Sequence, residues 1–211
     1  MSARAKKIIK AALDGVIESQ REYEGWSNEW LWMAPEYLTT VFVGKTIADA
    51  IGGKQLTLEH GTRSAMKDAG AAGRGKLHRE IRENGRFDLL VWNREGLPTV
   101  PIEVKVQVTN AQTVLADVNR IAKVISRKQE CSSFQFGMVV YYISLCDDKS
   151  GKRKARDKIE ARLKTILDDV KKNISSPVNV NQETSEIFVD YKYNSAWAAA
   201  ALIIEPATRC K

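Results

Sequence analysis

Cysteine and histidine are scarce in this 211-residue chain, which has Cys131, Cys146 and Cys210 and only His60 and His78. An odd number of widely spaced thiols makes no disulfide framework, and so few ligands of this kind argue against a zinc cluster. Mostly buried thiols are the expectation. Apolar runs are short as well. The longest, Ala196 to Ile204, falls well below the roughly 20 residues that span a bilayer. The basic N-terminus, Met1 to Lys10, has no continuous apolar segment of the secretory type, so a cytoplasmic protein without a membrane partner is expected. A true P-loop is also missing. Gly70 to Lys76 fits its first seven positions, but Leu77 stands where a magnesium-binding Ser or Thr is needed, and no buried strand precedes it. A flexible, glycine-rich basic loop that orders on a phosphate backbone is the better reading.

Positive charge, in contrast, is abundant. The formal charge is +7 and the pI about 9.3, which favours a polyanionic partner. Between His60 and Arg86, seven basic residues (Arg63, Lys67, Arg74, Lys76, Arg79, Arg82 and Arg86) face three acidic ones, a net +4. Arg63, Lys67, Arg74, Lys76 and Arg79 are therefore candidate nucleic-acid contacts.

This segment leads into two alternating stretches, Arg86 to Asn93 and Pro98 to Val108, joined by the turn Arg94-Glu95-Gly96-Leu97. Pairing Asn93 with Pro98 sets a register in which partner numbers sum to 191, which puts Asp88 opposite Glu103. Phe87, Leu89, Val91, Ile102, Val104 and Val106 then form one apolar face, and Asp88, Glu103, Lys105 and Gln107 the other. Two carboxylates at opposed strand positions lie roughly 5 Å apart and repel unless a cation or a shared proton intervenes. A hard ion such as Mg²⁺ suits them, together with a main-chain carbonyl and waters.

Asp88, a spacer of fourteen residues, then Glu103-Val104-Lys105 resembles the PD-(D/E)xK nuclease superfamily, whose fold is shared by many restriction and repair nucleases. The resemblance covers about residues 29 to 145; position 87 is Phe where the family pattern has Pro. It implies an α/β, restriction-endonuclease-like core: a central mixed β-sheet flanked by helices in αβββαβ order, here with an N-terminal helical extension. It further implies a metal-dependent endonuclease hydrolysing DNA phosphodiester bonds, of restriction or defence type, acting on double-stranded DNA. Asp88, Glu103 and Lys105 would be catalytic. Asp88, Glu103 and the Val104 carbonyl would hold Mg²⁺, for which Mn²⁺ could substitute. A carboxylate from the preceding helix, Glu36 in preference to Glu29, would complete the site, and Gln107 would touch the substrate. A homodimer would let one site per subunit cut each strand. The rival expectation is a non-catalytic nucleic-acid-binding or adaptor protein on the same scaffold.

One domain, residues 1–211, is expected, made of an N-terminal helix (1–25), a catalytic core (29–145) and a C-terminal helix and strands (146–211). Helices are predicted over 3–22, capped by Ser2 and interrupted at Gly25, and over 28–51, where Pro35 marks a kink or a new first turn and Gly52-Gly53 ends it. A short strand follows at 56–59. Further along, the pattern gives a helix over 110–127, a strand over 134–145, a charged helix over 152–172 and a strand over 186–193. In the 110–127 helix, Asp117, Arg120, Lys123 and Arg127 are read as polar-facing. Ala196 to Ile204 is ambiguous between strand and helix, an edge or a dimer contact. Trp26, Trp30 and Trp32 are read first as core or interface aromatics and second as base-stacking groups.

Overall fold

The computed structural model describes residues 1–52, 55–73, 76–127, 131–148 and 153–207. A seven-stranded mixed sheet carries helices on both faces. Its elements are α1 (Ala3–Ser27), α2 (Glu36–Ile51), β1 (Leu56–Gly61), α3 (Thr62–Asp68), β2 (Arg86–Trp92), β3 (Pro98–Lys105), α4 (Gln112–Ile125), β4 (Gly137–Cys146), α5 (Ala155–Asn173), β5 (Val178–Thr184), β6 (Phe188–Asp190) and β7 (Ser195–Pro206). The strand order is β1-β2-β3-β4-β7-β5, with β6 also on β7. β3 and β4 run parallel, connected through α4, and the other pairings are antiparallel. Among the described residues, no helix is long and apolar enough to cross a membrane.

Side-chain alternation sorts the sheet into two cores. Val139, Tyr141 and Ile143 of β4 join Ala198, Ala200 and Leu202 of β7 beneath α4 and α5. Met138, Val140 and Tyr142 join Ala199, Ala201 and Ile203 beneath α1 and α2. The two helices on the latter side pack so closely that a Cβ at Gly15 would lie 2.6 Å from the Cα of Val43.

Ser2 does cap α1, accepting the Ala5 N–H at 3.1 Å. The helix continues through Gly25, however, and stops where Asn28 adopts a left-handed φ of 57°. Gly25 is exposed, so it costs helix propensity without removing any contact. Pro35 starts α2 afresh after a short 3₁₀ turn, Leu31–Met33. Residues 196–204 lie in an interior strand buried on both faces, between β4 and β5, and not at an edge. Cys131 and Cys146 are exposed, contrary to the expectation of buried thiols; Cys210 lies outside the described residues.

Candidate active site

In the β2–β3 hairpin Leu89, Leu90 and Val91 pair with Ile102, Pro101 and Val100, numbers that sum to 191 as the alternation predicts. At the turn the pairing slips by one. Trp92 pairs with Pro98 across a bulge, and the Asn93 N–H closes the loop on the Leu97 carbonyl. Beyond Leu89 and Ile102 the backbone ladder ends, at the step that carries Asp88 and Glu103. The Val104 N–H therefore finds its acceptor on a side chain, Asp88 Oδ2 at 2.7 Å. Two residues on, the Val106 N–H meets Glu36 Oε2 at 3.4 Å. Where β2 leaves β3, carboxylates stand in for the lost strand.

Leu89, Val91, Ile102 and Val104 are buried on the α1/α2 side as expected. Phe87 is not: it packs in the other core, its ring centroid 4.5 Å from the Arg120 guanidinium carbon. Across from it on β1, Glu59 lies between the paired residues Leu58 and His60 and has φ of 51°, so both strands depart from regular geometry at this step. β3 also ends sooner than its sequence pattern suggests. It stops at Lys105, and Gln107 takes φ of 60°, so Gln107 sits in the turn after the strand instead of on the carboxylate face.

Glu103 and Asp88 are near enough for each carboxyl to act on the titration of the other. Glu103 is 3% exposed, and Arg120 Nη1 lies 2.5 Å from its Oε1. Arg120, itself buried, also donates to Thr62 Oγ1, the Arg86 carbonyl and the Ile81 carbonyl at 2.5, 2.9 and 3.3 Å. It thereby ties the basic segment to α4 and to β3. Lys105 Nζ is 2.9 Å from Glu36 Oε1 and 3.7 Å from Asp117 Oδ2, and Arg82 Nη1 is 3.2 Å from Asp117 Oδ1. One ammonium is thus held from both sides of the sheet, by α2 and by α4.

Burial pushes Glu103 up to about 9, with Asp88 and Asp117 adding to the rise and Arg120 and Lys105 opposing it. Burial likewise raises Asp88, against the Val104 N–H and Lys105. For Lys105, burial works against the charge, but the hydrogen bond and charge of Glu36, with Asp117 and Asp88, outweigh it and hold the ammonium above its ordinary range. Four carboxylates (Glu36, Asp88, Glu103 and Asp117) meet three cations (Arg82, Lys105 and Arg120). The raised values of Asp88 and Glu103 favour a proton where the two meet, which offsets the shortfall of cations.

Among the described residues, no three His, Cys, Asp or Glu side chains are grouped to hold a metal ion. The Asp88/Glu103 pair is nevertheless a donor set that fits Mg²⁺, which commonly takes one or two carboxylates and completes its shell with waters and substrate phosphate. Glu36 is directed at Lys105 and not at this pair, and Glu29 is exposed on the loop after α1.

Of the candidate basic contacts, Arg63, Lys67, Lys76 and Arg79 are exposed; Arg63 pairs with Glu83 at 2.9 Å, and Arg74 lies outside the described residues. Asp117 and Arg120 are the functional candidates that sequence reasoning placed on the polar side. Val124, four residues after Arg120 and seven after Asp117, is buried on the same flank of α4 and is the signal that this flank faces the sheet. No family model, curated protein or solved structure matches the chain.

Proposed function

We propose that the protein is a Mg²⁺-dependent endonuclease with a restriction-endonuclease-like core that hydrolyses DNA phosphodiester bonds, of restriction or defence type and acting on double-stranded DNA. The observation that carries this reading is the union, at the point where β2 and β3 part, of Asp88 and Glu103 with the doubly held ammonium of Lys105. Asp88 and Glu103 would hold the ion, with the Val104 carbonyl as a further donor. When bound, the ion supplies Lewis-acid neutralisation of charge on the phosphoryl group. Lys105 orients the attacking water and donates to a phosphoryl oxygen as negative charge builds there. Glu36 and Asp117 keep Lys105 protonated and aimed, and Arg120 fixes the rotamer of Glu103. The exposed Arg63, Lys67, Lys76 and Arg79 supply phosphate contacts along the approach.

The test is cleavage of supercoiled plasmid with Mg²⁺ or with EDTA. Asp88→Ala and Lys105→Ala should fold, retain DNA binding and lose cutting by at least about a hundredfold, the scale of a missing charge-stabilising group. Undiminished cutting in either variant removes the mechanism. One observation favours a second reading, a non-catalytic DNA-binding protein: Arg120 already engages Glu103 as a structural ion pair. That protein would bind DNA equally in Mg²⁺ and EDTA and cut in neither.

A further inference from the structure

Beside the carboxylate cluster, past the C-terminal ends of the parallel strands β3 and β4, lies a cleft of about 700 Å³ whose lining includes Trp30, Trp32, Gln107, Tyr193 and Ser195. Such a volume is in the ordinary range for small-ligand sites. We propose that this cleft takes an unstacked nucleobase of the substrate, next to the phosphate held at Lys105; the inference rests on the nuclease reading and specifies its substrate.

Three features separate the cleft from a merely greasy hollow. Its aromatic walls are presented and fixed. Trp32 is 40% exposed and Tyr193 45% exposed, and Trp30 meets Tyr193 edge-on at 6.2 Å and 72°. The turn bearing both tryptophans is anchored by the buried Gln20, whose Oε1 accepts the Leu31 N–H at 2.9 Å. Its wall also carries an unanswered polar group. Ser195 is 3% exposed, and its Oγ has no hydrogen-bond partner among the described residues. A buried hydroxyl in that state costs stability, and since the Oγ itself is covered, a base edge would reach it only as the Ser195 side chain turns towards the cleft. Gln107, turned off the strand by its left-handed backbone, offers a second donor and acceptor.

The rim supplies the third feature. Lys192 Nζ stands 4.7 Å over the Tyr193 ring, and Arg162 donates to the carbonyl of Thr109, another lining residue. Aromatic planes, an unpaired hydroxyl and cations at the mouth together match a base with its phosphate, since stacking tolerates any base and the charge meets the backbone. The chain itself links the cleft to the chemistry at two points. Gln107 is two residues after Lys105, and Trp32 is four before Glu36, the partner of that lysine.

The base could come from a single strand or from a nucleotide turned out of a duplex, and the two are separable with the full-length protein in EDTA. A mixed-sequence single-stranded oligonucleotide should quench tryptophan fluorescence, and Trp32→Ala or Tyr193→Ala should weaken its binding about tenfold, as expected for loss of one stacking partner. Ser195→Ala, a smaller change, should also weaken it. A duplex with one mismatched pair should bind more tightly than the fully paired duplex if a base leaves the helix; equally weak binding of both duplexes with tight single-strand binding assigns the cleft to unpaired strands. Unchanged single-strand affinity in all three variants overturns the proposal. So does loss of binding of the apolar dye ANS in Trp32→Ala with oligonucleotide affinity intact, which would mark an apolar partner instead. Plasmid cutting is scored separately. A wild type that never cuts but whose variants lose oligonucleotide binding removes the nuclease reading and keeps the cleft, whereas a wild type that cuts, with variants that bind normally, does the reverse.

Discussion

The two faces of the β2–β3 hairpin are adjacent in sequence and differ most where the strands part. Leu89, Val91, Ile102 and Val104 bury an apolar face against α1 and α2, while on the other face Glu103 is buried with Arg120 and Asp117. The apolar face is explained by stability alone, because hydrocarbon burial needs no partner geometry. The charged face is not. Buried ion pairs seldom outperform well-packed apolar residues of the same volume, so a network of seven ionisable groups is poor economy as a structural device. What the charged face offers is a set of groups whose protonation is shifted by burial, which supports the proposal of a reacting site there.

The largest expected effect breaks the charged side. Arg120→Ala leaves Glu103 buried without its guanidinium and removes the donor of four hydrogen bonds, so unfolding in urea should show a loss of about 3–5 kcal/mol, the range for breaking one member of a buried pair. Adding Glu103→Gln to that variant should recover part of the loss, because the uncompensated charge is gone. A double variant no more stable than Arg120→Ala would show that Arg120 acts through packing on Phe87 and not through Glu103.

The same contrast explains what was legible in the sequence. Period-two alternation and a short turn expose the hairpin and the register of Leu89 to Val91 with Val100 to Ile102, although neither Asn93 with Pro98 nor Asp88 with Glu103 is a ladder pair. Burial of charge has a fainter signature. Asp117 and Arg120 have the composition of a solvated flank, Val124 alone marks that flank as inward, and their partners Glu103 and Lys105 come from the preceding strand β3. β5 was illegible for a related reason: Val178 and Val180 are the only apolar residues in Val178–Thr184, an edge strand whose other positions are polar. The alanine-rich β7 shows no period because both of its faces are buried. Val106 to Val108 continue the apolar alternation of β3, but the left-handed Gln107 ends the strand, a backbone event that alternation does not encode.

An intermediate effect sharpens the charged side through pH. Asp88 and Glu103 both titrate above the ordinary carboxyl range when folded. The folded state then binds more protons than the unfolded one between the two sets of values, so their contribution is fully present below the unfolded pKa and is lost as pH rises from about 4.5 towards about 9. A divalent ion on the pair, as proposed, would reverse that loss. Thermal melts at pH 6 and pH 8.5 should show a larger Mg²⁺-induced stabilisation at the higher pH; saturation at about 100 times Kd corresponds to roughly 2.7 kcal/mol. Asp88→Asn should abolish the increment. Equal Mg²⁺ shifts at both pH values, or a full shift in Asp88→Asn, would place the ion elsewhere.

The smallest effect belongs to the apolar side and serves as its control. Ile102→Val removes one methylene from a fully buried position beside the site, which should cost about 1 kcal/mol by urea unfolding. Ile102 precedes Glu103 on β3 and points to the opposite face, so the loss should appear in stability and leave the Mg²⁺ dependence of the melt unchanged. If this one methylene altered the ion response as strongly as a change at Asp88, the two faces would not be separable. Packing from α1 and α2 would then itself set the spacing of the carboxylates, through the backbone of β3.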